Sequence, residues 1–435
     1  MRALLILSIL LFVSSAPADP SAEGRIALRT LYSVDDSPLD KQVVFGFLDV
    51  DLRAQQLSPL GTGLMIDSTF LYDANELNER RFGETESIQR VRQAFISHEK
   101  IIGPLSFNIG RRLITEAGNA WLDGLEVTAT LDQGLKVGIY GGLRPNPAYF
   151  SPSTDYQTTG MYGTYRRDGL NADLGYNLIF ADGLDRQYAY SRLHYRPIER
   201  LYLSTYLVAD LLDDPEITTF LGTVDYTPVQ PLNLSVSVSR YSIERYRNEK
   251  IYRNIIEPNQ ALILGDEVIN LVYNRIRFNV SYRFWRRYYH YQSVEYKIRS
   301  QDDLEGWVYT IGVRDRDFLQ LGTLVDLRAI FKNNYQSDSW LIALDIEQEL
   351  GRGLALNLRS TLFDGRTIDR FTERGRTFDE AQKIYLIGSS LFWRPEKSHH
   401  LSAAYDGVYE TELQDRRNEE GIFIHTFMSR YGWYF

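Results

Sequence analysis

The 435-residue chain contains no cysteine. That absence excludes a disulfide framework, a thiolate-held metal, covalently attached haem and a lipid-anchored cysteine, so any redox centre working with this chain must be supplied by another molecule. Long apolar runs are missing as well: beyond the first twenty residues none reaches 18, which excludes a helical membrane protein. Nor is there a basic stripe. The formal charge is −9, and no nucleic-acid partner is expected.

What the chain has in quantity is aromatics, with 30 Tyr, 21 Phe and 6 Trp against 4 Met. These residues suit strands and membrane interfaces. A mean hydropathy of −0.30 is compatible with a transmembrane barrel, because lipid-facing apolar and lumen-facing polar residues alternate and average out. At the N-terminus, Met1-Arg2 precedes an apolar run from Ala3 to Val13 and then Ser14-Ser15-Ala16-Pro17-Ala18. That is the pattern of a secretory signal peptide over residues 1–18, with a single mature domain expected over 19–435.

Segments of about ten residues alternate apolar and polar at period two, the length a tilted strand needs to cross a bilayer. Over residues 232–239, Leu232, Leu234, Val236 and Val238 share one face and Asn233, Ser235, Ser237 and Ser239 the other. No helical period reproduces that division. Residues 275–284 set Ile276, Phe278 and Val280 against Arg275, Arg277 and Arg283; residues 340–350 set Trp340, Ile342 and Leu344 against Asp345, Glu347 and Glu349. Residues 170–180 and 354–362 follow the same scheme. Alternation is poor over 158–167, and 267–285 reads either as one long strand or as a loop limb plus a strand.

Connections largely alternate between tight and long. Tight ones fall at 131–134, 166–169, 197–200, 227–231 and 350–353; long ones at 73–86, 143–156, 242–266, 364–380 and 411–419. Short periplasmic turns and long extracellular loops are how outer-membrane barrels are built. The expected fold is therefore all-β: one antiparallel up-and-down transmembrane barrel of about 22 strands, within roughly 16–24, with both termini on the periplasmic side.

The chain ends in Gly432-Trp433-Tyr434-Phe435, with Phe423, Phe427, Tyr431, Trp433 and Phe435 on one face. This ending resembles the closing-strand signature of bacterial outer-membrane β-barrels, the porin-like class, and the resemblance extends over residues 24–435. It implies a Gram-negative cell outer membrane as the location. It also implies outer-membrane lipid and the barrel-assembly machinery as partners, with Tyr431, Trp433 and Phe435 as the assembly signal.

Alternation begins at Gly24, so no plug domain or periplasmic domain is expected ahead of the barrel. The function this points to is a pore for diffusion of small polar or charged solutes. Charges in a barrel wall must face the lumen, because setting them against lipid costs several kcal/mol. The pore-lining candidates are Arg112, Arg275, Arg277, Arg283, Arg328 and Arg359, opposed to Asp49, Asp51, Asp345, Glu347 and Glu349. Opposed across the pore, they would set a transverse field that filters ions; paired along the wall, they would mainly stabilise it. The segment 242–266, with Glu244, Arg245, Arg247 and Lys250, is the candidate constriction, or else an exposed cap.

Two other functions compete with the pore. One is a barrel sheath holding a separately encoded partner, such as a multihaem cytochrome, across the membrane. The other is an outer-membrane barrel enzyme. The six histidines offer little to the enzyme: adjacent His399 and His400 point to opposite sides of an extended chain, and His194 lies between Arg192 and Arg196 on one face. No nucleophilic triad, phosphate loop or metal-ligand spacing is legible, so the chain is expected to be a non-enzyme without catalytic, cofactor or metal residues.

Overall fold

The structure, a computed structural model, describes residues 21–36, 42–58, 61–73, 87–132, 134–146, 150–181, 183–212, 215–242, 272–285, 287–300, 303–334, 337–368, 379–411 and 421–435. The expected leader 1–18 and all of the segment 242–266 except Ser242 lie outside these residues.

Among the described residues the chain forms 22 strands. They are β1 (Ser21–Asp35), β2 (Gln42–Gln55), β3 (Thr62–Asp73), β4 (Ser87–Ile102), β5 (Leu105–Ile114), β6 (Ala120–Asp132), β7 (Leu135–Leu143) and β8 (Gln157–Arg167). There follow β9 (Leu170–Phe180), β10 (Leu184–Ile198), β11 (Leu201–Asp210), β12 (Glu216–Val229), β13 (Leu232–Ser242), β14 (Val272–Phe284) and β15 (Tyr288–Arg299). The last seven are β16 (Leu304–Phe318), β17 (Thr323–Asn334), β18 (Ser337–Gly351), β19 (Leu354–Ile368), β20 (Asp379–Glu396), β21 (His399–Thr411) and β22 (Ile422–Tyr434).

Each strand pairs antiparallel with its chain neighbours, and β22 pairs with β1 from Arg25↔Tyr434 to Asp35↔Ile424. The sheet is thus a closed up-and-down barrel with no edge. The Gly24 and Phe435 backbones complete the seam, with N–H···O distances of 3.0 and 3.1 Å in the two directions. At about 4.8 Å between strands and about 40° of tilt, such a barrel closes on a backbone circle about 44 Å across.

The period-two pattern places the apolar residues outside. Val236, Val238, Ile276, Phe278 and Ile342 are all exposed on the outer wall. Trp340 and Leu350, at the two ends of one outward row, are ten residues apart, about 25 Å along the barrel axis at that tilt, which matches a hydrocarbon core. The segment 158–167 lies in β8, where Gly160 and Gly163 blur the alternation, and 272–284 is a single strand.

All five tight connections lie at the end of the barrel that carries Gly24 and Phe435, and the strand ends flanking all five long ones lie at the other. The alternation is incomplete, since the connections 115–119, 181–183, 211–215, 300–303 and 335–336 at the far end are also short. Tight turning has a local cause. At Asp168-Gly169 both residues have positive φ, 50° and 78°, as a two-residue hairpin turn of the primed type requires, and glycine removes half of the steric cost.

The seam depends on a close approach. A Cβ on Gly24 would lie 2.5 Å from Cζ of the Phe435 ring, so the terminal aromatic is seated on a residue without a side chain. Gly46, on the neighbouring strand, has only Tyr72 Cβ at 3.8 Å. Gly24→Leu is therefore expected to lower the yield of folded barrel at least about threefold, read as heat-dependent gel migration, with Gly46→Ala unchanged.

Candidate functional site: the lumen wall

With apolar residues committed to lipid, every second residue of each strand is turned inward, and the inner wall becomes the only place for charge. All eleven candidate charges are on inward positions, opposite the exposed apolar rows. Their partners are mostly local. Asp49 is bonded by Arg29 (2.8 Å) and by Thr69 Oγ1 (2.7 Å). Asp51 lies 3.8 Å from Arg53, Arg275 lies 3.7 Å from Glu295, and Arg328 lies 3.5 Å from Asp345. Arg112 binds Glu126.

Arg359 reaches farther. It grips Asp406 with Nη2 at 2.7 Å from both carboxylate oxygens, crossing β20 at Gly388. A Cβ there would meet Arg359 Nε at 2.6 Å, so the bridge needs glycine under it.

Four candidates have no oppositely charged partner within 4.0 Å among the described residues: Arg277, Arg283, Glu347 and Glu349. Arg277 donates instead to Asn279 (2.8 Å) and Ser293 (3.4 Å). The strand order also settles which charges can face one another. The β14 arginines and the β18 acids are only four strands apart, on one side of the wall, whereas β2 with Asp49 and Asp51 is ten strands from β14, nearly diametrically opposite.

Sequence reasoning missed a thick polar layer on β5–β11. The β5–β6 connection turns inward as a 3-10 turn, Thr115–Ala117, followed by Gly118 in the left-handed region. Asn177 Nδ2 donates to Ala117 O at 3.0 Å, and Tyr140 Oη bonds Asn177. Beneath the turn Glu126 is 0% exposed, bound by Asn108 Nδ2 (2.6 Å), Tyr162 Oη (2.5 Å) and Arg112. Farther round, Asp173 sits between Arg166 and Arg192, and Asp210 between Arg186 (2.6 Å) and Thr218 (2.7 Å). A carboxylate this deeply buried persists only because its oxygens are matched by such donors. The sequence signal was slight: a five-residue connection containing Ala117-Gly118-Asn119 looks like any hairpin loop.

Glu116 on that turn is pulled two ways. Burial alone would raise its carboxyl, but the hydrogen bond from its own backbone N–H, with Lys136 and Arg112 nearby, outweighs burial and holds it below its ordinary 4.5.

Several histidines are engaged with tyrosines. His194 Nδ1 is 2.6 Å from Tyr202 Oη, His399 Nδ1 is 2.9 Å from Tyr431 Oη, and the His400 ring centroid is 4.3 Å from that of Tyr434. Among the described residues no group of three or more His, Asp or Glu could hold a metal ion.

No known protein family and no curated protein matches the chain. Solved structures similar to it include Acinetobacter baumannii OccAB1, at 11% identity and TM-score 0.48, covering 95% of this chain and 96% of that one. A. baumannii OccAB2 gives 10% and 0.47, over 95% and 98%. Pseudomonas aeruginosa OccD3 gives 10% and 0.44, over 96% and 93%. At these scores the likenesses add nothing to the barrel assignment, which rests on the pairing of β22 with β1.

Removing the Glu126 carboxylate leaves the half-buried Arg112 without its counter-charge. Glu126→Ala is expected to cost about 3 kcal/mol, measured as a fall in the urea midpoint of the folded barrel. Glu116 gives a pH signature. A depressed carboxyl stabilises above its unfolded pKa, and the effect is lost as pH falls through the folded one. The gap in urea midpoint between wild type and Glu116→Gln should therefore hold at pH 7 and close only below 4.5.

Proposed function

We propose that this chain is an outer-membrane pore through which small polar or charged solutes diffuse, exported by the leader 1–18. The observation that carries this reading is a closed, edge-free barrel whose outer wall is apolar over about 25 Å and whose inner wall is charged. The locally paired charges brace the wall. Arg277, Arg283, Glu347 and Glu349, which have no oppositely charged partner among the described residues, set the ion preference. Tyr431, Trp433 and Phe435 are the residues read by the assembly machinery, a role supported by the seating of Phe435 at the closing seam.

The breadth of a 22-strand barrel supports a second reading, a sheath round a separately encoded redox protein. Planar-bilayer recording of the refolded protein separates the two. A pore gives discrete conductance steps, and replacing Arg277 and Arg283 together by Gln shifts the anion-to-cation permeability ratio toward cations by about twofold or more. A barrel that migrates as folded yet conducts nothing sinks the pore and leaves the sheath.

A further inference from the structure

The inner wall is not uniform around the barrel. Of the eight largest fully buried side chains among the described residues, seven lie between β5 and the start of β12, from Ile114 to Thr218, and only Ser242 lies elsewhere. Five tyrosines of that sector, Tyr140, Tyr156, Tyr162, Tyr188 and Tyr190, are buried in two clusters with Ile114, Leu122, Ile179 and Val208. A strand residue turned toward an open lumen keeps water on its tip; these do not, because the turn Thr115–Ala117 and the tyrosine rings lie over them.

The opposite sector behaves differently. Arg275, Arg277 and Arg283 on β14, Glu347 and Glu349 on β18 and Phe392 on β20 are all exposed on the inward face. The buried inward polar residues there, such as Ser281, Ser293, Glu295 and Asp326, are covered by side chains of the wall itself, as Asp326 is by Tyr291 reaching across β16 at 2.7 Å, with no inward turn over them.

We infer that the water-filled path is eccentric: it follows β13–β22 and β1, while the side chains packed under the turn Thr115–Ala117 and inward on β8–β11 form a solid buttress that solutes do not enter. The path half of this statement rests on the pore reading. The buttress itself does not.

On this basis Arg277, Arg283, Glu347 and Glu349 determine specificity, whereas Arg112, although inward, is a brace behind the 3-10 turn. Part of a wide lumen is thereby closed by side chains packed as in a soluble core.

The absence of cysteine makes the test direct. Thr158→Cys and Thr164→Cys on β8 probe the buttress, where the threonines are 4% and 5% exposed. Ser237→Cys on β13 and Thr361→Cys on β19 probe the half-buried open wall. Each variant is refolded as the mature chain, checked by heat-dependent migration, and treated with a small charged methanethiosulfonate, with labelling read by mass. The open-wall thiols should react at least about tenfold faster than the buttress thiols, since labelling follows access to thiolate.

In bilayers, the same reagent should change conductance for Ser237→Cys and Thr361→Cys and leave it unchanged for the other two. Equal labelling rates on the two walls overturn the buttress. Unequal labelling in a barrel that conducts nothing leaves the buttress standing and removes the pore. If one buttress variant fails to fold, the other carries the comparison.

Discussion

Inside hydrocarbon no water is available to bond a free N–H or C=O, and each one left unpaired costs several kcal/mol. A sheet meets that condition only by having no edge, so the pairing of β22 with β1 is the contact on which the remaining features of this molecule depend. The sequence places its most crowded aromatics there, and Gly24 gives the ring of Phe435 room to lie across the seam. Once the sheet is closed, the pleat divides every strand between lipid and lumen, and the inner wall must take all the charge. The arginine–carboxylate pairs along that wall follow from this, because long side chains on adjacent strands meet most cheaply by bonding across one or two strands.

Closure also sets a size. Twenty-two strands enclose far more space than their own inward side chains fill, so the molecule must either admit water or supply a second layer. This barrel does both, in different sectors. The second layer is built from the 3-10 turn Thr115–Ala117 and five tyrosines, with Glu126 and Asn177 hydrogen-bonded beneath them and Asp173 ion-paired to Arg166 and Arg192. Buried polar groups held by several partners give that sector one arrangement, where an apolar filling would tolerate several.

The architecture was legible in the sequence wherever period two was strict. Residues 232–239 and 275–284 could be read face by face, because a one-residue error would have put Arg275, Arg277 and Arg283 into lipid. Three of the tight turns, at 131–134, 166–169 and 350–353, were legible through their glycines, as at Asp168-Gly169. Residues 158–167 were not, because Gly160 and Gly163 have no side chain to mark a face. The inward charges could be named from alternation alone. Which of them pair could not, since that depends on stagger between strands far apart in sequence: Arg359 finds Asp406 across an intervening strand, 47 residues on. The inward turn at Thr115–Ala117 left no periodic trace at all.

Gly24 and Phe435 are bonded neighbours at one rim, so the strands form a ring in which one hairpin connection, that between β22 and β1, is replaced by hydrogen bonds alone. Joining the two ends and cutting at another short hairpin of the same rim, such as Asp168-Gly169, would leave the pairing intact and give the wall a different last strand. The strand that closes the wall and the strand that ends the chain are separable roles that this sequence happens to assign to one segment.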